Sequence, residues 1–346
     1  MEYCINENCS IKEALKRIDE ESFGAYTLFV ITNDEKILGT LTDGDIRRFL
    51  ISDGLLSDTV SKAMHRDFCY LDTHRDIVLQ LNSIKRKGIK LLPVLSDKGI
   101  ILNIIDIVNY KSHLPVDAVL MAGGKGERLR PLTEKTPKPL LLVGDKAIID
   151  HNVERLISYG LKHISVTVNY LKEQLEQHFV ETKRGIKIKT VTEPKYMGTI
   201  GAIQFVKEFY NDTILVMNSD LLTDLNYEDF YLHFKKHNAD MSIAAVPYAI
   251  SIPFGIMDLD GRNIKGMQEK PCFNYYANAG IYLIKREMLD NIPRDIFYNA
   301  TDLIDDLIRQ NKTVIRYPIN GTWIDIGNPQ EYQKANDLAR HMKFNS

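Results

Sequence analysis

At 346 residues, 44% hydrophobic and 26% charged, the chain has the composition of a folded protein of two, at most three, domains. A net charge of −2 gives no electrostatic footprint for nucleic acid or an anionic membrane, and no apolar run approaches the roughly 20 residues of a spanning helix. Met1 to Ser10 has no basic-then-apolar leader pattern, and Cys4, Cys9, Cys69 and Cys272 form no close pair, so free thiols in a reducing cytoplasm are expected rather than a disulfide framework or a zinc site.

Residues 1–113 read as a repeat. Ser10 is placed to cap a helix whose apolar face is Ile11, Ala14, Leu15 and Ile18. Strands follow at Tyr26 to Ile31 and at Ile37 to Leu41, and a helix starting near Asp43 carries Ile46, Phe49 and Leu50. The order then recurs, with a helix over about Arg75 to Lys87, strands at Leu91 to Leu95 and Gly99 to Asn103, and a helix beginning near Ile105. The copies divide at about 1–57 and 58–113. Copy one contains Gly39-Thr40-Leu41-Thr42-Asp43-Gly44-Asp45, which fits G-h-x-S/T-x-x-D. With this motif, the duplicated unit resembles a CBS-domain pair. The resemblance implies an adenine or guanine nucleotide held by Thr42 and Asp45, and homo-oligomers formed through this part of the chain. Copy two departs: aligned on Asp106, Asn103 stands at the Thr position and Ile100 at the Gly position. At most one nucleotide per pair is therefore expected; a packing and dimerisation module without a ligand is the alternative.

The break falls near His113-Leu114-Pro115, and a second domain is expected over 116–346. Strands are predicted at 116–121, 162–168, 186–191 and 213–217, and helices near 147–159, 171–178, 199–209 and 227–237. Such alternation implies α/β architecture, with a parallel sheet, right-handed crossovers and ligands beyond the carboxyl ends of the strands. A strand-rich stretch, about 240–285, is expected as an insertion or flank on one side of the cleft.

Between Val119 and Leu142 an apolar strand runs into Gly123-Gly124-Lys125-Gly126, followed by Arg128, Lys135 and Lys138. Glycines let backbone N–H groups approach an anion, and the basic side chains behind them complete a polyphosphate cradle. It is neither a P-loop, since Gly126 follows Lys125, nor a dinucleotide fingerprint, since Leu129 stands where the third glycine is needed. The guanidinium of Arg128 suits the β- and γ-phosphates. Lys138 lies between Pro137 and Pro139, which stiffen the chain. Asp220 follows the apolar strand Ile214-Leu215-Val216-Met217, where an α/β site places a magnesium ligand.

The whole run resembles the signature G-G-x-G-x-R-L-x-P-L-T-x-x-x-P-K-P-L of sugar-1-phosphate nucleotidyltransferases, and the resemblance extends over about 116–340. It implies a Rossmann-like, GT-A-like fold with a mostly parallel sheet. It places Ala122, Gly123, Gly124 and Gly126 on the nucleotide, and Lys138 on the α-phosphate or the sugar phosphate. Trp323-Ile324-Asp325-Ile326-Gly327 resembles W-x-D-I-G, which makes Asp325 the second Mg2+ carboxylate beside Asp220. Ser219 replaces the glycine of the family's N-G-D. The segment from Glu193 to Ala202 resembles E-x-x-x-L-G-T-A-G-A and implies that Glu193, Gly198 and Thr199 face base and ribose, although Thr199 could equally cap a following helix. Phe254-Gly255, Glu269-Lys270-Pro271 and Asn278-Ala279-Gly280 resemble sugar-side segments, implying sugar-phosphate contacts from Gly255, Glu269, Lys270 and Asn278.

The activity implied is transfer of a nucleoside monophosphate from an NTP to a sugar-1-phosphate, giving an NDP-sugar and pyrophosphate for cell-surface glycan or nonulosonate synthesis. The domain order resembles guanylyltransferases acting on glucosamine-1-phosphate or mannose-1-phosphate, which favours GTP. Thymidylyl-, uridylyl- and cytidylyltransferases on other sugar-1-phosphates share most of these motifs. A non-enzymatic nucleotide sensor is the remote alternative; it would fit a chain lacking Arg128, Lys138, Asp220 or Asp325, and all four are present.

Overall fold

The computed structural model describes residues 3–20, 26–73, 77–107 and 111–341. The chain divides between His113 and Leu114 into two units.

The first unit contains β1 (Cys4–Asn6), α1 (Ile11–Glu20), β2 (Thr27–Ile31), β3 (Ile37–Thr42), α2 (Asp43–Ile51), β4 (Leu71–Asp72), α3 (Ile77–Ile84), β5 (Leu91–Leu95) and β6 (Ile101–Asp106). Ser10 caps α1 as expected: its Oγ accepts from the Glu13 amide at 3.2 Å while its own amide donates to Glu13 Oε2 at 2.7 Å. The strands form two sheets of the same design, β1-β2-β3 and β4-β5-β6, each with one parallel and one antiparallel pair. Cys4, Phe29 and Ile37 of one copy share a core with Leu91, Leu95 and Ile101 of the other. Each sheet thus buries an apolar face that it could not bury alone.

Register corrects the alignment of the copies. In copy one Thr27 pairs with Thr42 and Val30 with Gly39; in copy two Leu91 pairs with Asp106 and Val94 with Asn103. Asn103 therefore corresponds to Gly39 and Asp106 to Thr42, a shift of three residues from the alignment on Asp106. The counterpart of Asp45 is Asn109, outside the described residues. The helix expected near Ile105 is also corrected. Ile101, opposite Leu95, and Ile105, opposite Leu92, are buried against two different cores, and the cross-strand pairs carry the strand through Asp106. Residues 108–110, where that helix would continue, lie outside the described residues, as does Arg75 at the start of the preceding one.

The second unit contains β7 (Asp117–Ala122), β8 (Leu142–Val143), β9 (Lys146–Ala147), α4 (Ile148–Ser158), β10 (Ile164–Val168), α5 (Lys172–His178), β11 (Ile188–Thr192), β12 (Thr213–Asn218), β13 (Leu221–Thr223), α6 (Tyr227–Lys236), β14 (Met241–Ser251), β15 (Ile256–Asp260), β16 (Asn263–Gln268), β17 (Cys272–Lys285), α7 (Ala300–Arg309), β18 (Val314–Pro318), β19 (Trp323–Asp325) and α8 (Pro329–His341). Seven strands form the main sheet in the order β11-β10-β7-β12-β17-β14-β18, and β17 alone runs against its neighbours. β10 and the body of β12 are buried on both faces, which explains the continuous apolar run Ile214 to Met217 of β12; β10 buries Ser165 and Thr167 as well. Leu303 and Leu307 of α7 pack on Ile214, Val216 and Ile284.

Two expectations are corrected here. The stretch 240–285 is not a flank: the inner halves of β14 and β17 are strands of the main sheet, and only their outer halves and the β15–β16 hairpin project beyond it. No α-helix forms over 199–209. Gly201–Phe205 is a short 3-10 turn, because the amides of Ile200 and Gly201 both donate to the Tyr298 carbonyl, at 3.2 and 3.1 Å, instead of entering an intrahelical ladder. Among the described residues no helix is long and apolar enough to cross a membrane, and Cys4, Cys9, Cys69 and Cys272 form no disulfide.

Candidate active site

The carboxyl ends of β7, β10, β11 and β12 open into one cleft of about 690 Å³. The structure brings together in its walls Ala122, Gly123, Gly124, Gly126, Arg128, Lys138, Glu193, Gly198, Thr199 and Asp220. A Cβ on Gly123 would stand 2.2 Å from Glu193 Oε1, so only glycine lets these two strands' ends meet. Gly126 has φ +63°, and its Cβ would lie 3.0 Å from Lys138 Cβ and from Thr133 Cγ2. Thr133 Oγ1 donates to the Gly126 carbonyl at 2.8 Å, and Tyr170 Oη donates to the Thr133 carbonyl at 3.0 Å. The glycine turn is thus tied at its far end, while Gly124 faces open space.

Asp220 and Asp325 come from distant segments, and a two-stranded ladder joins them. β13 pairs antiparallel with β19, setting Leu221 opposite Asp325, and the Ile326 amide donates to the Asp220 carbonyl at 3.1 Å. The Lys138 ammonium pairs with the Asp220 carboxylate and lies 3.9 Å from Asp325. Burial, and then the neighbouring Asp220 charge, raise the Asp325 carboxyl above its ordinary range, against the opposing pull of Lys138 and Arg128. Asp220 Oδ1 is buried without a hydrogen-bond partner. Two repelling carboxylates, one with an unsatisfied oxygen, fit a hard divalent cation that draws its other ligands from water and phosphate. No group of three or more His, Cys, Asp or Glu is poised for a metal among the described residues. Arg128 lies against the turn after Asp325, with its Nη2 3.0 Å from where a Gly327 Cβ would stand.

Several residues in or behind the cleft had no role assigned from the sequence. Asn152 is buried on α4, and its Nδ2 donates to the carbonyls of Ser219 at 3.2 Å and Leu221 at 2.9 Å, gripping the turn that presents Asp220. Its position on the buried face of the helix was the available signal. Ser219, the departure from N-G-D, uses its hydroxyl to donate to the Met121 carbonyl at 2.8 Å, locking β12 to β7. Tyr196, Asn169 and Asn218 also line the cleft.

Thr199 does not cap a following helix. Its Oγ1 accepts from the Ala300 amide at 2.9 Å, and its amide donates to Asn299 Oδ1 at 3.2 Å, at the start of α7. Gly198, with φ +83°, is required because a Cβ would lie 2.6 Å from the Tyr298 carbonyl oxygen. The remaining expected residues are not brought to the cleft wall. Gly255, Glu269 and Lys270 are exposed on the projecting arm, where a Gly255 Cβ would lie 3.1 Å from Glu269 Oε2. Asn278 is held by its own strand: Nδ2 donates to Tyr282 Oη at 2.9 Å, and Oδ1 accepts from the Gly280 amide at 2.9 Å. Gly280 in turn stands against Asn218.

Glu193 is a buried acid whose Oε2 accepts the Met197 amide at 3.1 Å. Burial raises its carboxyl above the ordinary range, and that hydrogen bond only partly offsets the rise. A raised folded-state value means that stability is full at low pH, where the group is protonated in both states, and falls as pH rises through that value. Glu193→Gln should therefore melt at or above the wild-type temperature at pH 7–8, with the gap closing towards pH 4. A Tm difference independent of pH, followed by circular dichroism, would contradict this.

Comparison with known proteins accords with this geometry. Residues 117–341 match the family described as nucleotidyl transferase, and residues 2–52 match the CBS domain. The bifunctional protein GlmU of Methanocaldococcus jannaschii is 33% identical over 229 residues, covering 64% of this chain and 53% of its own length. The mannose-1-phosphate guanylyltransferase catalytic subunit beta of Danio rerio is 30% identical over 227 residues, 62% of each chain. The chain thus spans between half and two thirds of the length of these relatives. Among solved structures, HddC from Yersinia pseudotuberculosis shares the fold at TM-score 0.51 and 24% identity, over 64% of this chain and 98% of its own. Since the match to that family starts at the first residue of β7 and runs to the last of α8, the chain belongs to the nucleotidyl transferase family and carries a CBS domain ahead of it.

Proposed function

We propose that the chain transfers a nucleoside monophosphate, from GTP in preference, to glucosamine-1-phosphate or mannose-1-phosphate. The observation that supports the transfer step is the Lys138 ammonium set between Asp220 and Asp325 beside the three-glycine loop. The names of the Danio rerio relative and its like support the guanylyl and mannose assignments. Members of this family usually use a divalent metal.

In this reading the loop amides of 123–126 bind the β- and γ-phosphates, and Arg128 neutralises the charge that grows there as pyrophosphate leaves. Lys138 steadies the α-phosphate at the meeting point of the two substrates. Asp220 and Asp325 would hold Mg2+, which supplies charge neutralisation on phosphate oxygens when bound. Glu193 and the 198–199 backbone face base and ribose. An oxygen of the sugar-1-phosphate bonds to the α-phosphorus, the α–β P–O bond breaks, and pyrophosphate departs. The residues position and neutralise; no covalent nucleophile is required.

The first unit is proposed to bind an adenine or guanine nucleotide through copy one. A groove of about 500 Å³ there is lined by Thr27, Thr42, Asp43, Gly44 and Lys90. Thr42 and Asp45 cap α2 reciprocally, with Thr42 Oγ1 donating to Asp45 Oδ2 at 2.6 Å and accepting from the Asp45 amide at 3.1 Å. Although burial alone would raise it, these bonds and Arg48 hold the Asp45 carboxyl below its ordinary range, so it meets a ribose as an acceptor.

Asp220→Asn and Asp325→Asn should each lower kcat by at least roughly a hundredfold at saturating Mg2+, the scale of losing a charge-stabilising group, with circular dichroism unchanged. Near-wild-type turnover in either variant would remove the metal assignment. Pyrophosphate release measured with each ribonucleotide and dTTP against both sugar phosphates should give GTP the highest kcat/KM. If UTP or dTTP exceeds GTP with every sugar, only the broader transferase reading survives. Calorimetry with ATP, AMP and GTP on Asp220→Asn protein should find no more than one CBS-bound nucleotide per chain, abolished by Asp45→Ala; tight binding at two such sites would refute the one-site arrangement.

A further inference from the structure

Among the described residues, the ion pairs of Asp220 and of Asp325 are both made by Lys138. Its ammonium donates to Asp220 Oδ2 and stands 3.9 Å from Asp325 Oδ1. The other Asp220 oxygen, Oδ1, is buried and has no partner. Asp220 therefore offers no open oxygen, since one lies under the ammonium and the other is closed to solvent. The Lys138 side chain is itself only 11% exposed, so little water screens the pair. A small divalent ion must come within about 2.1 Å of a carboxylate oxygen. At that range from Asp220 it would stand beside a second positive charge in a poorly screened site, where like charges repel strongly. Ammonium and metal are thus rivals for the same carboxylate.

The ammonium has a second anion site within reach. Its stem runs along the glycine loop: a Cβ on Gly126 would lie 3.0 Å from Lys138 Cβ and 3.5 Å from Lys138 Cδ. Lys138 also lines the cleft together with Gly123, Gly124 and Gly126. Pro137 and Pro139 hold its backbone. The side chain beyond is a flexible stem carrying a point charge, whose three donors need no fixed plane, so the ammonium can swing while the turn stays still. A triphosphate on the loop amides carries more negative charge than the two carboxylates together.

We propose that Lys138 has a second role, as a gate for the divalent ion. Its ammonium fills the carboxylate pair until a triphosphate reaches the glycine loop, then moves to the phosphates and frees Asp220 as a ligand. Ion and triphosphate therefore bind cooperatively, each raising the affinity of the other by the same factor. Arrival of the neutralising ion is coupled in this way to arrival of the charge it neutralises. The proposal rests on the transferase reading for the place of the phosphates.

Mn2+ titrations of the full chain without nucleotide, followed by electron paramagnetic resonance, test the gate. Lys138→Met, which keeps an unbranched stem without the charge, should bind Mn2+ at least roughly tenfold more tightly than wild type, the scale of one close charge. Lys138→Gln should do the same, with circular dichroism unchanged in both. Asp325→Asn in the Lys138→Met chain should abolish the gain, which assigns the ion to this pair. Lys125→Met removes a cation of the same cleft that pairs with neither carboxylate, and should shift Mn2+ affinity far less. The other half of the gate is read by calorimetry with inorganic tripolyphosphate in EDTA, where no metal takes part. Asp220→Asn, which loosens the ammonium, should bind tripolyphosphate more tightly than Asp325→Asn, which removes the same charge from the more distant partner. Equal Mn2+ affinity in wild type and both Lys138 variants would overturn the proposal, as would equal tripolyphosphate affinity in the two Asn variants. Neither titration uses pyrophosphate release, which tests the transferase reading separately. Release intact beside equal affinities drops the gate alone, whereas no release with any NTP drops the reading.

Discussion

Much of the second unit serves to hold two like charges beside one another. Asp220 and Asp325 would repel if left to themselves; burial first, and then the Asp220 charge, raise the Asp325 carboxyl above its ordinary range. The Lys138 ammonium between them supplies one counter-charge, held in place by the stiff Pro137-Lys138-Pro139 turn. Backbone bonds supply the rest. The β13–β19 ladder fixes the spacing of the two segments, and Asn152 and Ser219 fix the turn between β12 and β13. Such preorganisation means that charge developing on a phosphate meets fixed partners with little reorganisation.

The glycine loop answers a different constraint, that of approach. Gly123 is tight against a buried carboxylate, Gly126 against Lys138 and Thr133, while Gly124 is open. Three glycines in one turn therefore do three things: the first admits Glu193, the second leaves room for a ligand and the third turns the chain. Gly198 extends the same logic to the opposite wall, where the Tyr298 carbonyl leaves no space for a side chain. Strands that end on backbone rather than side chains leave N–H groups as the main donors.

β14 and β17 connect this machinery to the periphery. Their inner halves are buried in the sheet, β17 beside β12 and β14 beside β18, and their outer halves become exposed ribbon within the same strands. The turns bearing Gly255 and Glu269 lie on these outer halves and the hairpin between them.

The strand-to-glycine transition at Ala122, the amphipathic spacing of α4, the Ser10 cap and the order of motifs from Arg128 to Asp325 were legible in the residues. Each rests on spacing within a turn or two, where backbone sterics and hydrogen bonding act locally. Only the tertiary structure decided that Thr199 serves α7 rather than a helix of its own, that 199–209 stays out of an α-helix, and that copy two is offset by three residues. Those outcomes depend on partners about a hundred residues away at Tyr298 and Ala300, or on a strand register set by the separate cores that take up Ile101 and Ile105. Likewise, the residues around 240–285 announced strands, but whether a strand lies inside a sheet or projects from it depends on which neighbours pair with it. That is a property of long-range hydrogen bonding which no local pattern encodes.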